Sequence, residues 1–83
     1  MSSAAQPRPV QLQVNTAGAW KTVVRFDAGN DLVATQIQEA AQVLHEADPS
    51  TYWRIATTER SPDVLRHMGK STHGIWMNRE EAA

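Results

Sequence analysis

One stretch of this sequence has the period of an α-helix, while the apolar runs around it alternate. Val33, Ile37, Ala40, Ala41 and Leu44 recur at i, i+4, i+7, i+8 and i+11, the spacing of a single stripe on a 3.6-residue helix. Asn30 or Asp31 supplies an N-cap side chain before it. Asp48-Pro49 ends it near Ala47, because the residue before a proline avoids the α region. A helix with one apolar stripe must bury that stripe against a partner layer.

The flanking runs supply the layer. Val10, Leu12 and Val14 alternate with Gln11 and Gln13, the period-2 pattern of a half-buried strand. Asn15-Thr16-Ala17-Gly18 has turn chemistry. After it, Trp20, Thr22, Val24 and Phe26 are expected on one face and Lys21, Val23 and Arg25 on the other, so the two runs read as a β-hairpin. TYWRIATT, residues 51–58, sets Trp53, Ile55 and Thr57 against Tyr52, Arg54 and Ala56. Beyond it two readings stand. Residues 61–69 form a short helix with Ser61 as N-cap and Gly69 as C-cap, or Val64–Met68 and Gly74–Met77 pair as a hairpin. The hairpin is preferred, because Ile75-Trp76-Met77 needs a strand neighbour close in sequence.

The expected fold is therefore α+β, two layers: an antiparallel sheet in β-β-α-β-β order, with either a fifth short strand or a short second helix, and the long helix across one face. The expected core is Val10, Leu12, Val14, Trp20, Val24, Phe26, Val33, Ile37, Leu44, Trp53, Ile55 and Ile75. Residues 9–79 read as one domain, between polar tails at 1–8 and 80–83.

Eighty-three residues hold one small core. The absence of cysteine removes disulfides and thiolate metal sites from consideration. The sequence MSSAAQPRPV lacks the basic and apolar regions of a signal peptide, and no apolar run approaches the ~20 residues of a membrane span. A soluble cytoplasmic protein with no membrane partner is expected.

Gly69-Lys70-Ser71-Thr72 has the letters that close a phosphate-binding loop. The pattern needs a glycine five residues earlier, where Val64 stands. It also needs a long following helix to face the anion and a parallel sheet, which a chain this short does not build. A polar surface turn is expected instead. Asp63, His67 and His73 have the chemistry of metal ligands, but on a hairpin the two histidines diverge and no supporting acid is evident. Ser61, Asp63 and His67 have the letters of a hydrolase triad without a nucleophile elbow or an oxyanion hole. No catalytic residue, cofactor or metal is expected.

Charge placement says more than the near-neutral total of −1. From Asn30 to Ser50 there are four acids and no Lys or Arg, and Gln36, Gln38, Glu39, Gln42, His45 and Glu46 read as the solvent side of the helix. Apart from Arg8, the basic residues lie in strands and loops. The sheet face away from the helix is expected to show Gln11, Gln13, Lys21, Val23, Arg25, Tyr52 and Arg54, joined by Trp76 in one register; in the other, Trp76 closes the end of the core. Tyr, Trp and Arg are the usual anchors of protein interfaces, so Lys21, Arg25, Tyr52, Arg54 and Trp76 are the expected partner-binding residues. The favoured function is a non-enzymatic interaction module binding a protein partner through this open basic-aromatic face. The alternative is a single-stranded nucleic-acid module using the same face. Exposed edge strands allow a monomer or a homodimer.

AAQVLHEADPSTYWRI, residues 40–55, followed by Gly74-Ile75-Trp76, resembles in general order the small α+β accessory proteins of phages and prophages. The resemblance spans about half the chain and carries no functional residue. It implies an accessory or inhibitory protein that works by binding.

Overall fold

The computed structural model describes residues 7–79. The chain runs β1 (Pro9–Asn15), β2 (Trp20–Asp27), α1 (Asp31–Ala47), β3 (Tyr52–Thr57), β4 (Val64–Met68), a single 3₁₀ turn (Lys70–Thr72) and β5 (Met77–Asn78). The five strands form one antiparallel sheet in the order β2-β1-β3-β4-β5, with α1 packed on one face. Residues 64–68 are thus a strand and not a helix. Of the expected tails, 1–6 and 80–83 lie outside the described residues. Arg8 belongs to the domain: its amide donates to Asp27 Oδ1 at 2.8 Å and its carbonyl accepts from Ala28.

Asn30 caps α1 by accepting from the Val33 amide at 3.1 Å. The helix is turned toward its glutamine–histidine flank. Ala41 and His45 are buried, whereas Leu44 is half exposed and Ala40 lies in solvent. Gln38, Gln42 and His45, expected in water, instead hold neighbouring segments. The Gln38 carbonyl accepts from Trp76 Nε1 at 2.9 Å and its side chain accepts from Arg66. Gln42 Nε2 donates to the Gly74 carbonyl, and His45 Nδ1 lies 3.1 Å from the Thr51 carbonyl oxygen. Several backbone polar groups under the helix need partners, and this flank supplies them.

The core is Val10, Leu12, Ala41, Trp53, Ile55, Met68 and Trp76, with Val14, Phe26, Ala28 and Ile37 packed on it. Two further corrections concern burial. Trp20 and Val24, expected inside, are about one-third exposed, at 37% and 36%. Ile75, expected in the core, is exposed, and Trp76, expected either to close the end of the core or to anchor a contact, is buried. His73 and Gly74 both have positive φ (56° and 75°), so the chain turns before Ile75 and no strand alternation carries through it. Three rings, Trp53, Trp76 and Phe26, fill the core, and Trp20 is surplus to it.

Candidate interaction face

The face of the sheet away from α1 is set by one irregularity. Leu12 pairs with Val24 and Gln13 pairs with Thr22, leaving Val23 without a partner in β1. This extra residue is a β-bulge, which reverses side-chain parity beyond it. Trp20 and Thr22 therefore join Gln13 and Arg25 on the open face. Lys21 stands opposite Val14, on the helix side. Of the five expected binding residues, Arg25, Tyr52 and Arg54 share the open face. Lys21 is removed from it by the bulge, and Trp76 is in the core, where its Nε1–H reaches the Gln38 carbonyl. Trp20 takes their place. No glycine marks the bulge in the sequence. The one available signal was the count of large rings against the size of the core.

Trp20 and Tyr52 both pair with Asn15, one from each side. Their backbones stand two strand spacings apart, about 10 Å. Arg54, opposite Gln13, reaches over the Trp20 ring, with its guanidinium carbon 4.2 Å from the ring centroid. A relay of side-chain hydrogen bonds holds the floor. Arg54 Nε donates to Gln13 Oε1 (2.7 Å), and Gln13 Nε2 to Thr22 Oγ1 (3.3 Å). Thr22 Oγ1 donates to Gln11 Oε1 (2.6 Å), and Gln11 Nε2 to the Thr57 carbonyl (2.9 Å). Gln11 and Gln13 are more than nine-tenths buried although they face away from the helix. Each is satisfied within the relay, as enclosed amides must be. Partial burial also pulls the Arg54 guanidinium pKa below its usual value.

The Gly69-Lys70-Ser71-Thr72 turn forms the far rim. The Thr72 hydroxyl donates to the Gly69 carbonyl and accepts from the Gly69 amide, both at 3.1 Å. The turn thus closes on itself rather than presenting amides to an anion. Gly69 lies under Tyr52, and a Cβ there would sit 2.5 Å from Tyr52 Cδ1. The glycine lets the tyrosine ring lie across the backbone. A shallow cleft of about 170 Å³ results, bordered by Trp20, Tyr52, Asn15, His67, Gly69 and Ser71.

His67 is on β4, paired with Arg54 and Met77, while His73 occupies the left-handed turn and Asp63 the loop before β4. The helical face that would have joined Asp63 to His67 does not exist, and among the described residues no three His, Cys, Asp or Glu converge as metal ligands. The basic residues are also less gathered than charge counting implied. Arg25 stands opposite Gln11 and Arg54 opposite Gln13, across β1 from one another, while Arg66 points under the helix to Gln38. No helix among the described residues is long and apolar enough to cross a membrane. No protein-family model, curated protein or solved structure matches the chain.

Proposed function

We propose that the protein is a non-enzymatic interaction module that binds a protein partner through the open sheet face, centred on the Trp20–Arg54–Tyr52 end. The observation that carries this reading is that these three side chains are displayed together on a hydrogen-bonded floor. An interface anchor loses little entropy on binding when its rotamer is already fixed, and Trp, Tyr and Arg are the residue types that dominate binding energy. Tyr52 and Trp20 supply the exposed apolar surface, and Arg25 supplies a peripheral charge.

A protein is favoured over nucleic acid because the face carries two arginines, and Arg54 is already engaged by Gln13 and Trp20. A nucleic-acid groove tracks a backbone with many cations. The competing reading keeps one supporting feature, the two exposed rings of Trp20 and Tyr52, since bases stack on aromatic side chains.

The deciding experiment immobilises the wild-type chain, Tyr52→Ala and Arg25→Glu, and exposes each to lysate of the native source. A protein retained by the wild type and lost by both variants, with their folds intact by circular dichroism, supports the reading. Equal retention by all three rejects it. Oligonucleotide binding at low salt, falling with a log–log slope near −0.7 per phosphate contacted, transfers the face to the nucleic-acid reading.

A further inference from the structure

On the opposite side of the sheet, a cavity of about 390 Å³ opens between the first half of α1 and β4. We propose that it binds a small carboxylate with an apolar body, held between Arg66 and Arg8. The volume falls in the range of about 300–1,000 Å³ typical of small-molecule sites. Phe26, Ile55 and Leu65 line it with apolar surface, and the charged lining is two arginines, Arg8 and Arg66, against one aspartate, Asp31.

Arg66 gives the site its chemistry. It pairs with Ile55 on the helix side of the sheet and is half buried. Its guanidinium donates to the neutral Gln38 side chain, while Nε is enclosed with no acceptor. Among the described residues no carboxylate forms an ion pair with it. An enclosed cationic N–H without an acceptor is unfavourable, and a ligand anion relieves that cost. The backbone is also shaped for the cavity. Ile55 pairs with Arg66 and Ala56 with Val64, so Leu65 is the extra residue of a second bulge. A regular strand would send Leu65 and Arg66 to opposite faces, yet both line this cavity. Bulges re-aim side chains in this way beside functional sites. A bare inorganic anion would leave the Phe26–Ile55–Leu65 surface wet, and a neutral apolar molecule would bring no anion to the Arg66 guanidinium. A carboxylate carried on an apolar body satisfies both halves.

The test follows amide resonances of the full ¹⁵N-labelled chain during titration with sodium octanoate, octanamide and sodium acetate. Octanoate should give saturable shifts at Ala34, Gln38, Ile55, Leu65 and Arg66, with octanamide and acetate each weaker by roughly tenfold or more. Arg66→Gln should weaken octanoate by a similar factor, and Ala34→Leu should block it by filling the cavity. If the Arg66→Gln spectrum shows loss of fold, Ala34→Leu and the octanoate–octanamide ratio carry the decision. Absence of saturable shifts through the low-millimolar range, equal affinity for octanamide, or undiminished binding to folded Ala34→Leu each overturns the proposal. None of these readouts depends on the open face.

Discussion

The Arg54 guanidinium rests 4.2 Å above the Trp20 ring across a strand that belongs to neither residue. The contact exists because the bulge at Val23 turns Trp20 outward. It joins β2 to β3 over β1, so the hairpin and the third strand are tied on the open side as well as through the core. A cation over an indole at an exposed site is worth about 0.5–1 kcal/mol. A double-mutant cycle of Trp20→Ala and Arg54→Ala, read by urea unfolding, should return a coupling energy of that size. Strict additivity of the two single variants would show that the stacking adds nothing.

Gly69 is the second position where the face depends on close approach. Its backbone needs no special conformation, so the constraint is the Tyr52 ring alone, 2.5 Å from where a Cβ would stand. Gly69→Ala should cost about 1–3 kcal/mol, the usual penalty of overpacking, or be absorbed by rotation of Tyr52 into solvent. In both cases the Tyr52 ring resonances shift and partner capture falls as it does for Tyr52→Ala. Unmoved Tyr52 resonances in Gly69→Ala would contradict the packing described.

Much of the architecture was legible because it rests on local signals: the Asn30 cap, the Asp48-Pro49 stop and the alternation in β1 and β3 each fix an element without reference to the rest. The elements that misled did so where tertiary geometry resets a period. Nothing in Trp20-Lys21-Thr22-Val23-Val24 announces a bulge, so Lys21 and Trp20 exchange faces. The helix stripe was read from apolar residues, yet Gln38, Gln42 and His45 face inward because the carbonyls of Thr51 and Gly74 and the Trp76 and Arg66 donors need partners there. Hydrogen-bond demand of that kind belongs to the assembled fold and leaves no periodic trace. Arg25, Tyr52 and Arg54 lie on the open face because their pairing with β1 at Gln11, Asn15 and Gln13 keeps the regular alternation.

Two surface carboxylates shape the acid limb of stability. The Asp27 carboxylate accepts from the Arg8 amide and then the Gly29 amide, both at 2.8 Å, and these bonds hold its pKa below the ordinary 3.8. Asp48 is lowered in the same way, first by the Ser50 hydroxyl at 2.6 Å and then by the Ser50 amide. A carboxylate with a depressed folded pKa binds fewer protons folded than unfolded, so its stabilisation is present above the unfolded value and fades as pH falls through the folded one. Stability should therefore decline from about pH 5 downward. Asp27→Asn with Asp48→Asn should flatten that decline. An unchanged acid limb in the double variant would assign it to other groups.

Trp76 and Trp20 separate stability from the proposed binding. Trp76 is 7% exposed, belongs to the core cluster and donates to the Gln38 carbonyl at 2.9 Å; Trp20 is 37% exposed and stacks on Arg54. Replacing Trp76 by Phe keeps a ring but removes the donor, a loss of about 1 kcal/mol for the hydrogen bond, with a further cost for the smaller ring. Trp76→Ala should cost about 3–5 kcal/mol, a large share of what a domain of this size has to lose. Neither side chain change touches the open face, so Trp76→Phe should capture the partner at wild-type strength at a temperature where it remains folded. Trp20→Ala should shift the urea midpoint far less than Trp76→Ala, while weakening capture. Paired urea unfolding and immobilised-protein capture on the two variants measure both quantities. Loss of capture by well-folded Trp76→Phe, with Trp20→Ala unaffected, would move the binding surface to the helix side of the sheet.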